Sequence, residues 1–134
     1  MMRRAGIVLV MCAMGVVGAR AQEKEGKEVT FKNDILPVIK SHCLPCHAED
    51  NFNPSDLSLD SYEDLMQGGK NGAPIVPGKA AESMLLKKLG EKPPFGDRMP
   101  LNKKEVIKEG KAKYLSEADM KKIAEWINQG AKNN

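Results

Sequence analysis

The feature that most constrains this chain is a run of five residues, Cys43-Leu44-Pro45-Cys46-His47. Two thiols three positions apart, in a helical turn, fall on one side of the chain. An imidazole follows at once. Cys-x-x-Cys-His is the attachment signature of a c-type haem, and its spacing has a chemical reason. Each sulfur is placed to form a thioether on one vinyl group, and His47 is placed to give the iron its proximal nitrogen. A chain that carries so large an apolar disc must wrap it and choose a ligand for its other face.

Two other chemistries use the same residue types. A structural zinc site needs four ligands, and after Cys43, Cys46 and His47 the nitrogen or sulfur donor left is His42, adjacent in sequence and badly placed to close a tetrahedron. A redox dithiol of the thioredoxin kind needs a βαβ context, and the sequence shows none. A carboxylate as fourth zinc ligand is possible but uncommon, so haem is the first reading and zinc and the dithiol are its rivals.

The 134 residues are enough for one small domain, and the first stretch does not belong to it. Met1–Arg4 is a short basic start, Ala5–Val17 is apolar, and Ala19-Arg20-Ala21 is an A-x-A cleavage site. Residues 1–21 read as a secretory signal peptide, removed after Ala21. The apolar run falls short of the roughly 20 residues of a membrane-spanning helix, so a membrane is involved only if the segment is retained as an anchor. Cys12 lacks the small preceding residue that lipoprotein cleavage needs. The expected location is the periplasm or another exported compartment. Without residues 1–21, 18 basic residues face 18 acidic ones. A neutral chain with no sustained basic face argues against a nucleic-acid partner. The mature chain holds six aromatic residues, a thin core for a small domain, so the apo-protein is expected to be largely unfolded.

Residues 22–30 read as a flexible charged leader, and 31–131 as the folded domain. Phe31, Ile35, Val38 and Ile39 recur at helical spacing. Pro37 sits in the first turn if Asn33 or Asp34 caps that helix, and kinks it if the helix begins at Phe31. Ser61 is a plausible N-cap for a helix over Tyr62–Gln67 that Gly68 ends. Gly68-Gly69-Lys70-Asn71-Gly72 lacks the Lys-Ser/Thr ending of a phosphate loop and reads as turns that bring the backbone close to something flat. A third helix is expected over about Ala80–Leu89, closed by Gly90, then a proline-stiffened loop from Glu91 to Asn102. The Lys-rich segment 103–113 has no clear secondary structure. Ser116 and Asp119 have capping-box spacing for a last helix, whose apolar face is Met120, Ile123, Ala124 and Ile127. With no repeats and no convincing strands, the chain is expected to be all-α, with about four short helices around one covalently bound haem.

The distal ligand is open among four methionines. Met66, Met84 and Met120 fall in predicted helices, where packing is the ordinary role. Met99 lies in the proline-stiffened loop, as Arg98-Met99-Pro100, and a rigid non-helical segment suits a sulfur that must be held against escape. Met99 is the first choice and Met84 the next. His42 sits on the proximal side and reads as an exposed helix-end residue.

Taken in order, Phe31-x-x-Asp34-Ile35-x-Pro37, Cys43-x-x-Cys46-His47, Leu57-x-Leu59-Asp60-Ser61-Tyr62, Gly68-Gly69, Val76-Pro77-Gly78, Ser83-x-Leu85-Leu86, Met99-Pro100 and Trp126-Ile127-x-x-Gly130-Ala131 resemble the planctomycete-type cytochrome c family, within the wider cytochrome c-like fold. The resemblance implies covalent haem c at Cys43 and Cys46, with His47 as proximal and Met99 as distal iron ligand. It departs from the family where Leu101 replaces a second proline and where 103–113 looks like an insertion. The function this implies is single-electron carriage between redox protein partners, such as a periplasmic dehydrogenase or an oxidase-type acceptor. Such a protein is a carrier and not an enzyme. The alternative is a haem-based gas sensor or weak peroxidase with a displaceable distal ligand.

Overall fold

The computed structural model describes residues 26–44, 46–51 and 53–134. The signal-peptide assignment to 1–21 and the first part of the leader lie outside the described residues. Those described form helices and no strand, with one isolated bridge between Gly69 and Gly72.

Val29 is the first buried residue among those described, and it donates its N–H to Gln129 Oε1 (2.8 Å). Thr30 caps the first helical turn. Its Oγ accepts from Asn33 N (3.3 Å), while the Asp34 carboxylate accepts from Thr30 N (2.9 Å) and from the Thr30 hydroxyl (3.1 Å). The expected caps, Asn33 and Asp34, are therefore the answering half of a reciprocal cap and not its start. That first turn, Phe31–Ile35, is π-helical, and it passes into α1 (Leu36–His42) with Pro37 at the start of the regular helix. The helical path thus begins at Phe31 and Pro37 still occupies a first turn, where a missing N–H is tolerated.

α2 (Tyr62–Gln67) has Ser61 as N-cap, its hydroxyl accepting from Asp64 N, and Gly68 as C-cap at φ +79°. The expected third helix is broken. Ala80–Glu82 is a 3-10 turn, Ser83 is extended, and α3 runs from Met84 to Leu89. Ser83 is fully buried, and its hydroxyl donates to Lys79 O (3.0 Å) and accepts from Val76 N (2.9 Å). A serine that serves the loop behind it competes with helical bonding at that point. The segment 103–113 contains a further helix, α4 (Lys104–Lys108), beyond the four expected. α5 (Glu117–Asn128) has Ser116 as N-cap, accepting from Asp119 N (3.1 Å).

The core joins the two ends of the chain. Phe31, Tyr62 and Trp126 meet with ring centroids 5.3–6.4 Å apart, over Ile35, Leu65, Ile123 and Ile127. Trp126 Nε1–H donates to Lys132 O (2.9 Å) and Tyr62 O–H to Ala131 O (2.8 Å). Buried Tyr and Trp need such partners for their polar tips. Gly130 (φ +101°) and Ala131 (φ +50°) turn the chain out of α5 so that those carbonyls can supply them. The Pro77-Gly78 turn is fastened to the same end, Gly78 N donating to Ile127 O (2.7 Å) and Ala80 N to Asn128 Oδ1 (3.0 Å).

Candidate cofactor site

α1 delivers the chain to the two thiols. Cys43 N donates to Ile39 O (2.8 Å), and His47 N donates to Cys43 O (3.0 Å). Cys43 and His47 are thereby held one turn apart at the end of the helix. Both cysteines are free thiols, Cys43 half-buried and Cys46 exposed. Burial pushes the Cys43 thiol up to about 11, so it is protonated at neutral pH and not a preformed thiolate ligand.

His47 is held in one orientation. Its Nδ1 lies 3.0 Å from Leu57 O. A carbonyl can only accept, so Nδ1 is the donor. In the neutral ring the Nε2 lone pair is then left for another partner. This is the arrangement that orients a metal-binding imidazole. The acceptor is itself fixed. Asn53 Oδ1 accepts from Leu57 N (3.2 Å) and from Ser55 Oγ (2.7 Å), and Leu59 N donates to His47 O (2.8 Å). Asn53 was legible in the sequence only as a turn residue before Pro54. Its role in presenting Leu57 O to His47 depends on a contact ten residues along the chain.

The two consecutive glycines do not face a cofactor. A Cβ on Gly69 would meet Ser55 O at 2.3 Å, and one on Gly68 would meet Gly72 O at 2.3 Å. The flat object that they approach is backbone. Lys70 N donates to Ser55 O (2.8 Å), fastening the loop after α2 to the loop that carries Asn53.

Met99 is half-buried against the core cluster, as are Met66 and Met120. Met84 is half-buried at the first position of α3. The Met99 loop is pinned to α3 at several points. Met99 N donates to Lys88 O (2.8 Å), and Arg98 Nε to Leu89 O (2.8 Å). The Lys88 ammonium donates to Phe95 O (2.6 Å) and Asp97 O (2.7 Å). The Arg98 guanidinium also lies over the Tyr114 ring, 3.9 Å from its centroid. Lys88, Arg98 and Tyr114 were missed as site-supporting residues. The available signal was Arg98 standing directly before Met99. His42, at the end of α1, is exposed.

Half-buried apolar side chains, Leu44, Leu57, Leu85, Leu86 and Met99, pack against the core without being covered. A chain with that supply of half-covered apolar surface, two thiols and an oriented imidazole suits a large flat apolar group. A small cavity beside Ala48, Asn51 and Asn53 holds about 190 Å3, below the 300–1,000 Å3 usual for ligand sites, and is not the place for it. Among the described residues no three His, Cys, Asp or Glu side chains converge as a metal-ion cluster. No helix among the described residues is long and apolar enough to cross a membrane.

The model of the family described as Planctomycete cytochrome C matches residues 43–100. No curated protein and no solved structure matches the chain.

Proposed function

From the match of residues 43–100 to the planctomycete cytochrome c family, we propose that the protein is an exported monohaem electron carrier with His/Met ligation. Cys43 and Cys46 would hold the haem covalently, with His47 as proximal and Met99 as distal ligand. Bound there, the group supplies one-electron exchange between Fe(III) and Fe(II), with a potential raised by a methionine ligand.

The observation that carries this reading is the His47–Leu57 hydrogen bond (3.0 Å). It fixes the tautomer and leaves the Nε2 lone pair for another partner. On the other side, the Arg98 and Lys88 bonds to the Met99 loop hold its backbone against α3. A thioether held by its own loop stays in place without a bulky neighbour pressing on it. If His47 and Met99 both held the iron, no position would be left for a substrate. The reading is therefore a carrier and not an enzyme, acting between exported redox proteins.

Carbon monoxide and one pair of variants test it. The reduced wild-type protein should resist carbon monoxide at neutral pH. Rapid binding would favour a gas sensor or weak peroxidase. Met99→Ala should abolish the methionine-to-iron charge-transfer band at the red end of the oxidised spectrum and open the site to carbon monoxide. A band that survives in that variant and disappears in Met84→Ala would reassign the distal ligand.

A further inference from the structure

Among the described residues three large apolar side chains are exposed, and all three lie between Phe95 and Ile107: Phe95 at 44%, Leu101 at 66% and Ile107 at 46%. The last belongs to α4, which buries none of its residues. A helix of five residues has too few hydrogen bonds to stand alone in water. It is held from its base instead. Asn102 Nδ2–H donates to Lys113 O (3.1 Å), and Lys113 N donates to Asn102 Oδ1 (3.0 Å). The excursion 103–113 is thus a closed loop, tied off next to the Met99 segment, and its helix buries none of its own residues.

Charge is divided along the same line. Residues 103–113 carry five lysines against two glutamates, while the remainder of 26–134 carries twelve basic residues against fourteen acidic ones. The ion pair found inside the excursion, Lys111 with Glu109 (2.9 Å), takes one charge of each sign and leaves its excess unchanged. A positive, apolar-centred projection therefore stands on a slightly acidic body.

We propose that α4 and Leu101 form the docking surface for an acidic protein partner, one that presents carboxylates around an apolar spot. Ile107 and Leu101 supply the apolar centre and Lys104 and Lys108 the charged rim. This rests on the electron-carrier reading and specifies the chemistry of its partner. It places that partner beside the loop that carries Met99. Rim charges act mainly on encounter and on salt dependence, and small redox interfaces are weak and transient, so a helix with no buried residue suits the role.

The haem-loaded protein can be tested on gold coated with a mixed layer of carboxylate-ended and methyl-ended alkanethiols, a carboxylate-only layer serving for comparison. Adsorbed mass reads docking, and voltammetry reads electron exchange. Lys104→Glu with Lys108→Glu should lower adsorption about tenfold at low salt, within the range of electrostatic steering. Leu101→Ser with Ile107→Ser should weaken adsorption on the mixed layer and leave the carboxylate-only layer unchanged. Lys121→Glu with Lys132→Glu, on exposed sites of α5 and the segment after it, should adsorb as the wild type. Wild-type protein that does not adsorb, α4 variants that adsorb undiminished, or an equal loss in the control pair would overturn the proposal. So would retention on anionic phospholipid vesicles in preference to the mixed layer. Protein that adsorbs as expected but gives no wave, even with a soluble mediator, would instead sink the carrier reading and leave the docking surface standing.

Discussion

The terminal lock and the middle of the chain are built on opposite plans. In the lock, Val29–Ile39 and α5 bury Phe31, Ile35, Trp126, Ile127 and Ala131 almost completely. The polar tips that go under with them are paired: Trp126 Nε1 with Lys132 O, Tyr62 Oη with Ala131 O, and Phe31 N with Asn134 Oδ1. In the middle, Cys43, Leu44, Leu57, Leu85, Leu86 and Met99 remain half-buried, and the hydrogen bonds are spent on holding His47 and the Met99 loop. One region finishes its own core. The other is apolar surface that the chain leaves only partly covered. The lesson is that the completed core and the half-covered surface belong to different stretches of the chain, which makes the comparison open to attack from either side.

The largest effect should come from leaving the middle without its group. Protein made with Cys43→Ala and Cys46→Ala, and so without covalent haem, should lose its cooperative thermal transition, because the half-buried leucines then gain no cover. A native-like transition in that variant would mean that the lock alone sustains the fold.

Next in size is the lock itself. Trp126→Ala removes a fully buried indole at the junction of three rings and should cost about 3–5 kcal/mol, as large aromatic truncations do. Denaturant unfolding of the haem-loaded variant measures this. Its red charge-transfer band should persist while the protein is folded, whereas Met99→Ala should lose the band with little change in the lock. If both variants lose both properties, the two regions are one cooperative unit and the comparison fails.

The smallest effect is a pH dependence. Asp34 is held below its ordinary value of 3.8, first by the backbone hydrogen bond from Thr30 and then by the one from its hydroxyl. Its folded-state value is lowered, so its contribution is present above the unfolded value and fades as pH falls through the folded one. Unfolding midpoints taken from pH 6 downward should show an acid-side decline that is shallower in Asp34→Asn. An identical decline in both would assign the acid sensitivity elsewhere.

Short-range chemistry was legible without coordinates. Ser61 and Ser116 as caps, Gly68 as a stop, and the helices between them follow from residues within four positions of one another, and α2 and the last helix start where those residues put them. Met99 in a braced loop outside any helix was legible too, because three prolines in Glu91–Asn102 leave no room for one. The break at Ser83 was not, since it depends on Val76 N arriving from seven residues upstream and bonding the hydroxyl. Nor was α4, whose few turn-level signals gain weight only once Asn102 and Lys113 tie its ends together.

By itself the sequence determined the spacing of the two thiols and His47 and the helical class, because thiol spacing, caps and prolines act through bonds and torsions close along the chain. Tertiary structure alone decided which imidazole nitrogen is left for another partner, through Leu57 O, and what Gly69 approaches, through Ser55 O. It also decided that α4 buries none of its own residues. Each of these depends on backbone atoms brought together from distant positions, and a carbonyl that accepts a hydrogen bond leaves no mark of its own in the order of side chains.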